Sequence, residues 1–94
     1  MDQDGYPEDD ELKKIEEWPW QDFKGMMEYI KELWRNSDSG YWKDDGRTYY
    51  ISTSGWSGNE SIIEAMHKNF IFWSLCWHRS ERGGHYKFVI NKAA

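Results

Sequence analysis

Cysteine and proline are nearly absent from this 94-residue chain, and each absence limits what the protein can be. Cys76 is the single cysteine, so no disulfide can form within the chain and nothing indicates an oxidising compartment. Only two prolines occur, and no apolar run approaches the roughly 18 residues of a membrane-spanning helix. Residues 1–5 are acidic where a secretory signal would be basic and then apolar. We therefore expect a cytoplasmic protein without a membrane partner.

Basic side chains are also scarce, and they are distributed unevenly. The net charge is −5, but residues 1–45 contain 14 acidic and 6 basic side chains, whereas residues 46–94 contain 3 acidic and 6 basic ones. Nonspecific binding to a phosphate backbone requires a basic footprint, so direct nucleic-acid binding is not expected. The C-terminal half could still bind a small anion.

Aromatic side chains, in contrast, are abundant: the chain has 7 Trp, 6 Tyr and 4 Phe. Each of them can bury about 150 to 250 Å², so a single domain of this length can form a dense core. We predict a flexible acidic tail over residues 1–10 and one domain over residues 11–94. No repeat or second domain is indicated.

The first half of this domain has helical periodicity. A short helix is predicted over Asp10–Glu17, and it must end at Trp18 because the residue before Pro19 is disfavoured in the α region. A second helix follows Pro19, since apolar residues recur at spacings of three and four. These are Phe23, Met26, Met27, Ile30, Leu33 and Trp34. The segment from Lys43 to Gly46 is predicted to be a turn.

After Gly46 the period changes to two, which is typical of strands. Thr48–Thr53 is predicted to be a strand with Tyr50 and Ser52 on one face, and a third helix is predicted at about Glu60–Asn69. Phe70–His78 is apolar on both faces, which indicates a central strand, and a last strand follows over residues 85–90. The fold class is α+β: two N-terminal helices, then β-α-β-β, with a small mixed three-stranded sheet covered by helices.

Two glycine turns, Gly55–Glu60 and Arg82–Tyr86, flank the predicted central strand and form the candidate site. In the first, Ser57 and Glu60 have the spacing of a capping box and Asn59 is an alternative cap, so the segment could serve only to start a helix. Alternatively, its glycines let backbone N–H groups approach an anion at a helix N-terminus. If the strand before the first turn and the strand before the second are parallel, both turns lie at one edge of the sheet.

Chemically, the two turns suit an anion that carries a flat ring. Arginine binds phosphate or carboxylate through two hydrogen bonds, and Trp or Tyr can stack on a ring, although the charges of the second turn could equally belong to a solvated hairpin. The candidate ligand-binding residues are Gly55, Trp56, Ser57, Gly58, Asn59, Trp77, Arg79, Arg82, Gly83, Gly84, His85 and Tyr86. No cofactor is predicted.

A catalytic interpretation has less support. Cys76 and His78 alternate onto one face of the predicted strand, but a cysteine within an apolar strand is usually an inert core residue. We expect Cys76 to be buried and dispensable. A zinc site from Cys76, His78, His67 and His85 is disfavoured, because these residues lack the paired ligand spacing of structural zinc sites.

The two turns also support a comparison with a known group of proteins. The segments Tyr50–Glu60, Phe72-Trp73, Cys76-Trp77 and Arg82–Tyr86 resemble a pattern in small uncharacterised proteins encoded by tailed bacteriophages. The resemblance covers the C-terminal half of the chain. It implies an accessory protein in the cytoplasm of a bacterial host, and by analogy a binder rather than an enzyme.

Three functions remain open from the sequence. The first is a non-catalytic binder of a small anionic, nucleotide-like ligand, such as a sponge for a host defence signal. The second is an anti-CRISPR-like inhibitor that binds a host protein through its acidic N-terminal half. The third is a small enzyme that uses Cys76 and His78. The sequence does not indicate an oligomeric state.

Overall fold

A computed structural model describes residues 3, 5–35 and 40–90, and they form an α+β fold. Within these residues, pairs of helices and pairs of strands follow one another along the chain. The elements are α1 Asp9–Glu16, a 3₁₀ turn Trp20–Asp22, α2 Phe23–Leu33, β1 Trp42–Asp44, β2 Thr48–Ser52, α3 Ser57–Lys68, α4 Phe70–Cys76, β3 Trp77–Glu81 and β4 His85–Val89. None of the described helices is long and apolar enough to cross a membrane.

The two N-terminal helices are confirmed. The chain leaves α1 at Glu17, and the next helical turn begins only after Pro19, as the proline predicts. All six apolar residues predicted for the second helix are buried, and the Asp22 side chain accepts a hydrogen bond from the Gly25 N–H at the start of α2. Two residues of the predicted tail, Asp9 and Asp10, belong to α1.

The sheet is four-stranded and antiparallel, in the order β1-β2-β4-β3, which corrects the prediction of a mixed three-stranded sheet. The missed strand is β1, because the acidic turn predicted at Lys43–Gly46 begins one residue before that strand ends. Asp45 stabilises the β1–β2 connection by accepting hydrogen bonds from the N–H groups of Thr48 (2.8 Å) and Arg47 (3.0 Å). These bonds hold the pKa of Asp45 below its ordinary value.

The prediction of a central strand over Phe70–His78 is wrong: residues 70–76 form α4, and β3 begins at Trp77 at the edge of the sheet. Asn69 starts the helix, because its side-chain oxygen accepts a hydrogen bond from the Phe72 N–H at 3.2 Å. Phe72 and Cys76 are buried four residues apart, as on one face of a helix. A short apolar run has the same composition in a buried strand as in a buried helix, so composition alone could not distinguish the two.

The two faces of the sheet differ in chemistry. Trp42, Tyr49, Ile51 and Phe88 lie on the face that packs against the helices, and all four are buried. Alternate strand residues lie on the opposite face, which we call the open face. It carries Lys43, Tyr50, Arg79 and Lys87.

The buried face is joined to α2 by an aromatic cluster. The Trp34 and Trp42 rings are 5.7 Å apart and the Trp42 and Tyr49 rings 6.0 Å apart, both edge to face. The Trp34 indole N–H donates to the carbonyl of Ser52 at 3.1 Å. Burial, together with the negative charges of Asp44 and Glu28, raises the pKa of Tyr49 to about 12.

Replacing Asn69 tests what starts α4. Besides capping the helix, its amide donates to the carbonyls of Ile15 (2.9 Å) and Trp18 (3.2 Å). Asn69→Ala removes all three bonds, so we expect the free energy of unfolding to fall by about 2 to 4 kcal/mol in a urea titration. Asp22→Ala is the matched control, because that cap is exposed and should cost only about 1 kcal/mol. Equal losses for the two variants would contradict this role of Asn69.

Stability should also depend on Tyr49 at alkaline pH. The folded state favours the neutral phenol, so this contribution is complete below the unfolded pKa of about 10 and is lost as pH rises towards about 12. We expect the free energy of unfolding of the wild type to fall more steeply over that window than that of Tyr49→Phe. Denaturant titrations at several pH values measure both slopes. Identical slopes would show that Tyr49 ionises as easily in the fold as in the unfolded chain.

Candidate functional site

The two glycine turns lie at the same end of the sheet. The Thr53 N–H donates to the carbonyl of Gly84 at 3.0 Å, and Ser52 lies opposite His85 in the β2–β4 pairing. Gly84 has φ +78°, and a Cβ there would overlap the Thr53 hydroxyl, so only glycine allows this approach. The turns are adjacent because the end of β2 pairs with the start of β4, which is antiparallel to it. The prediction that the turns meet through parallel strands is wrong.

The first turn does not form the predicted capping box. The helix α3 begins at Ser57, earlier than predicted, and its N-cap is Trp56, which makes no side-chain cap. Asn59 is fully buried instead: its side-chain oxygen accepts from the Arg35 N–H at 3.1 Å, and its amide lies 3.5 Å from the Thr53 carbonyl. Asn59 therefore connects the end of α2 to the turn after β2.

Trp56 is covered by neighbouring side chains. Its ring lies 4.7 Å from the Tyr6 ring and 4.7 Å from the guanidinium carbon of Arg35. A Cβ on Gly58 would overlap the same ring, which explains the glycine at that position by packing. These contacts occupy Trp56 within the protein.

Trp77 belongs to the helix-facing side of the sheet. It lies opposite Phe88, stacks at 6.1 Å on Trp73, and donates from its indole N–H to the Ser80 hydroxyl at 2.9 Å. Arg79 lies on the open face, opposite Lys87. The structure therefore does not bring Trp56 and Trp77 together with Arg79 around one ligand.

A groove on the open face does collect part of the predicted set. It has a volume of about 480 Å³, and a volume of this size suits a small molecule. Arg79 and His85 line it from the open face, whereas Tyr86 only borders it, because the Tyr86 ring lies on the helix-facing side against Trp73 and Phe88. The other lining residues are Gly40, Tyr41, Lys43, Tyr50, Ile51, Ser52, Glu81 and Lys87. Arg82 and Gly83 lie in the β3–β4 turn and do not line the groove.

One cross-strand row forms the floor of this groove. Lys43, Tyr50, Lys87 and Arg79 lie opposite one another on β1, β2, β4 and β3, and we call them the basic row. Strands are about 4.8 Å apart, so the row spans roughly 14 Å. Tyr50 is 48% exposed, and the Lys87 ammonium lies 5.3 Å from the centre of its ring.

Charge in the groove is mainly positive. Three basic side chains, Lys43, Arg79 and Lys87, line it with one carboxylate, Glu81, which accepts a hydrogen bond from the Arg79 Nε at 2.8 Å. An accessible ring among cations can bind a flat anion by stacking and by charge-assisted hydrogen bonds. The sequence did contain a signal for the accessible Tyr50 ring, since the alternation of β2 already put Tyr50 on the face away from Tyr49.

The proposed catalytic pair is not assembled. Cys76 is buried at the end of α4, as expected for a core residue, whereas His78 is exposed at an irregularity in β3. The two residues do not share a strand face. Among the described residues, no group of three His, Cys, Asp or Glu side chains is arranged to hold a metal ion.

Comparison with known proteins finds no counterpart: no protein-family model, curated protein or solved structure matches the chain.

Replacing Asn59 separates structure from binding in the first turn. Asn59→Ala leaves the Arg35 N–H without its acceptor, so we expect a loss of about 1 to 3 kcal/mol in the free energy of unfolding. Ser61→Ala in the same helix is the control, because its hydroxyl bonds only to the Ser57 carbonyl and the change should be nearly neutral. If the Asn59→Ala variant is as stable as the wild type, Asn59 has no structural role and is again a candidate ligand-binding residue.

Proposed function

We propose that this chain is a non-catalytic accessory protein that binds a small anionic, nucleotide-like ligand in the groove on the open face. The observation that carries the proposal is the basic row, in which an exposed tyrosine ring on β2 shares one face with cations on the other three strands of the sheet. The bacteriophage context, and with it a role in sequestering a host signal, rests on the resemblance of the two turns.

The order of residues in the row suits a nucleotide. The base stacks on Tyr50, and the phosphate lies within reach of Lys87 or Lys43 on the neighbouring strands. Arg79 is held by Glu81, two residues along the same strand, so its guanidinium is fixed at the β3 end of the row. A second phosphate at the β3 end would meet this guanidinium, so a dinucleotide or diphosphate should bind more tightly than a monophosphate.

Calorimetric titration of the purified protein with AMP, ADP, cyclic dinucleotides, adenosine and pyrophosphate tests the proposal. Base stacking is worth about 1 to 3 kcal/mol, so Tyr50→Ala should weaken nucleotide binding by roughly five-fold to more than 100-fold, whereas Tyr50→Phe should retain most of it. Lys87→Ala removes a charge-assisted contact and should weaken binding by about ten-fold or more. Pyrophosphate binding should respond to Lys87→Ala but not to Tyr50→Ala.

The controls lie outside the groove. Lys68→Ala removes an exposed cation from α3, and Arg82→Ala removes one from the β3–β4 turn, so neither should change the affinity appreciably. Reversing Glu16, Glu17 and Glu28 should also leave it unchanged. If Arg82→Ala weakens ligand binding as much as Lys87→Ala does, the ligand binds at the glycine turns rather than in the groove.

Two results would replace this function with another. If no compound binds and a host protein is captured in a way that the three acidic reversals abolish, the chain is a protein-binding inhibitor. If short single-stranded oligonucleotides bind and mononucleotides do not, the ligand is a nucleic acid.

A further inference from the structure

An exposed apolar surface lies on α4, away from the groove. Phe70, Ile71 and Leu75 are 78%, 48% and 55% exposed, on the side of the helix opposite the buried Phe72 and Cys76. Trp77 follows directly and is 42% exposed. We call these four exposed residues the α4 patch.

The α4 patch is too concentrated to be ordinary surface. It supplies four of the eight large hydrophobic residues exposed in the described part of the chain, within eight consecutive positions. Its exposed apolar area is on the order of 400 Å², a size at which patches on monomers commonly mark an interaction site.

The edge strand that continues from α4 has a self-complementary sequence. All five residues of β3 are exposed, and Arg79 and Glu81 flank Ser80 on it. If two copies of β3 pair antiparallel about Ser80, Arg79 of each copy lies opposite the partner's Glu81, so two favourable charge pairs form. Pairing about Arg79 would instead place like charges opposite each other, which disfavours that register.

The same symmetry brings the helices together. A two-fold axis perpendicular to the sheet through Ser80 keeps both open faces on one side and both helical layers on the other. The α4 helices then lie on the same side of the joined sheet, and because α4 leads directly into β3 at Trp77, three residues from the axis, each α4 patch lies beside the dimer contact. The self-complementary charges of β3 favour a second copy of the chain over a lipid surface as the occupant of this region.

We propose that a second copy of this chain docks on β3 and the α4 patch, forming a two-fold dimer with one eight-stranded sheet. The apolar area is about half of the roughly 800 Å² that each partner buries in a standard interface, with the strand edge supplying more. A concentration-dependent dimer with a Kd in the micromolar range is therefore expected. Both grooves lie on the same face of the joined sheet.

Sedimentation velocity of the full chain over a concentration series tests the apolar contact. The wild type should pass from monomer to dimer as its concentration rises, and Phe70→Ala should weaken dimerisation by about ten-fold or more. Trp20→Ala is the matched control, because Trp20 is also a half-exposed aromatic but lies in the 3₁₀ turn before α2, outside β3 and α4. Its affinity should equal that of the wild type.

A charge exchange tests the register of the strands. Glu81→Arg alone places like charges opposite each other and should weaken dimerisation, whereas the double variant Arg79→Glu with Glu81→Arg should restore it. Far-ultraviolet circular dichroism confirms that each variant is folded. The ligand titration uses Tyr50 and Lys87, so failure of the dimer leaves the proposed function independently tested.

Each alternative outcome overturns the dimer. A wild type that remains monomeric throughout the series rules it out, and so does a dimer that Phe70→Ala does not weaken. Failure of the charge exchange to restore association rejects the β3 pairing and the proposal with it. A monomer that binds phosphatidylcholine vesicles and loses that binding on Phe70→Ala assigns the patch to lipid.

Discussion

The buried amide of Asn69 is the interaction on which the arrangement of the C-terminal half depends. Its oxygen starts α4, and its nitrogen donates to carbonyls at the end of α1, so one side chain joins two helices. With α4 formed, only residues from Trp77 onward enter the sheet, where β3 pairs with β4 alone and is an edge strand. An unsatisfied amide at this depth would be costly, which makes the arrangement specific.

The sheet separates the aromatic side chains by role. On the face covered by helices, Trp42, Tyr49 and Phe88 are buried and contribute to the core. On the open face, Tyr50 remains accessible among cations because the described helices all pack on the other side. A chain that is acidic overall thus presents a positive groove, since strand alternation gathers cations that are far apart in sequence.

The groove and the proposed dimer contact share the β3 edge. The Arg79–Glu81 pair lines the groove in one chain, and the same two residues would form the cross-strand pairs in a dimer. Arg79 would then be oriented by carboxylates from both copies, and ligand binding near it could be linked to association. The exposed α4 patch lies on the opposite side of the sheet from the groove, so the two surfaces need not compete.

Local periodicity was sufficient to determine α1, α2 and most of α3, and the alternation that separates Tyr49 from Tyr50, because these patterns depend on near neighbours. Arg79, His85 and Tyr86 were also identified as candidates from their turn. Only the tertiary structure decided that residues 70–76 are a helix, since the partner that Asn69 requires, Ile15, lies 54 residues away. The basic row likewise required the strand order, because Lys43, Tyr50, Lys87 and Arg79 become neighbours only through antiparallel pairing of four separate segments.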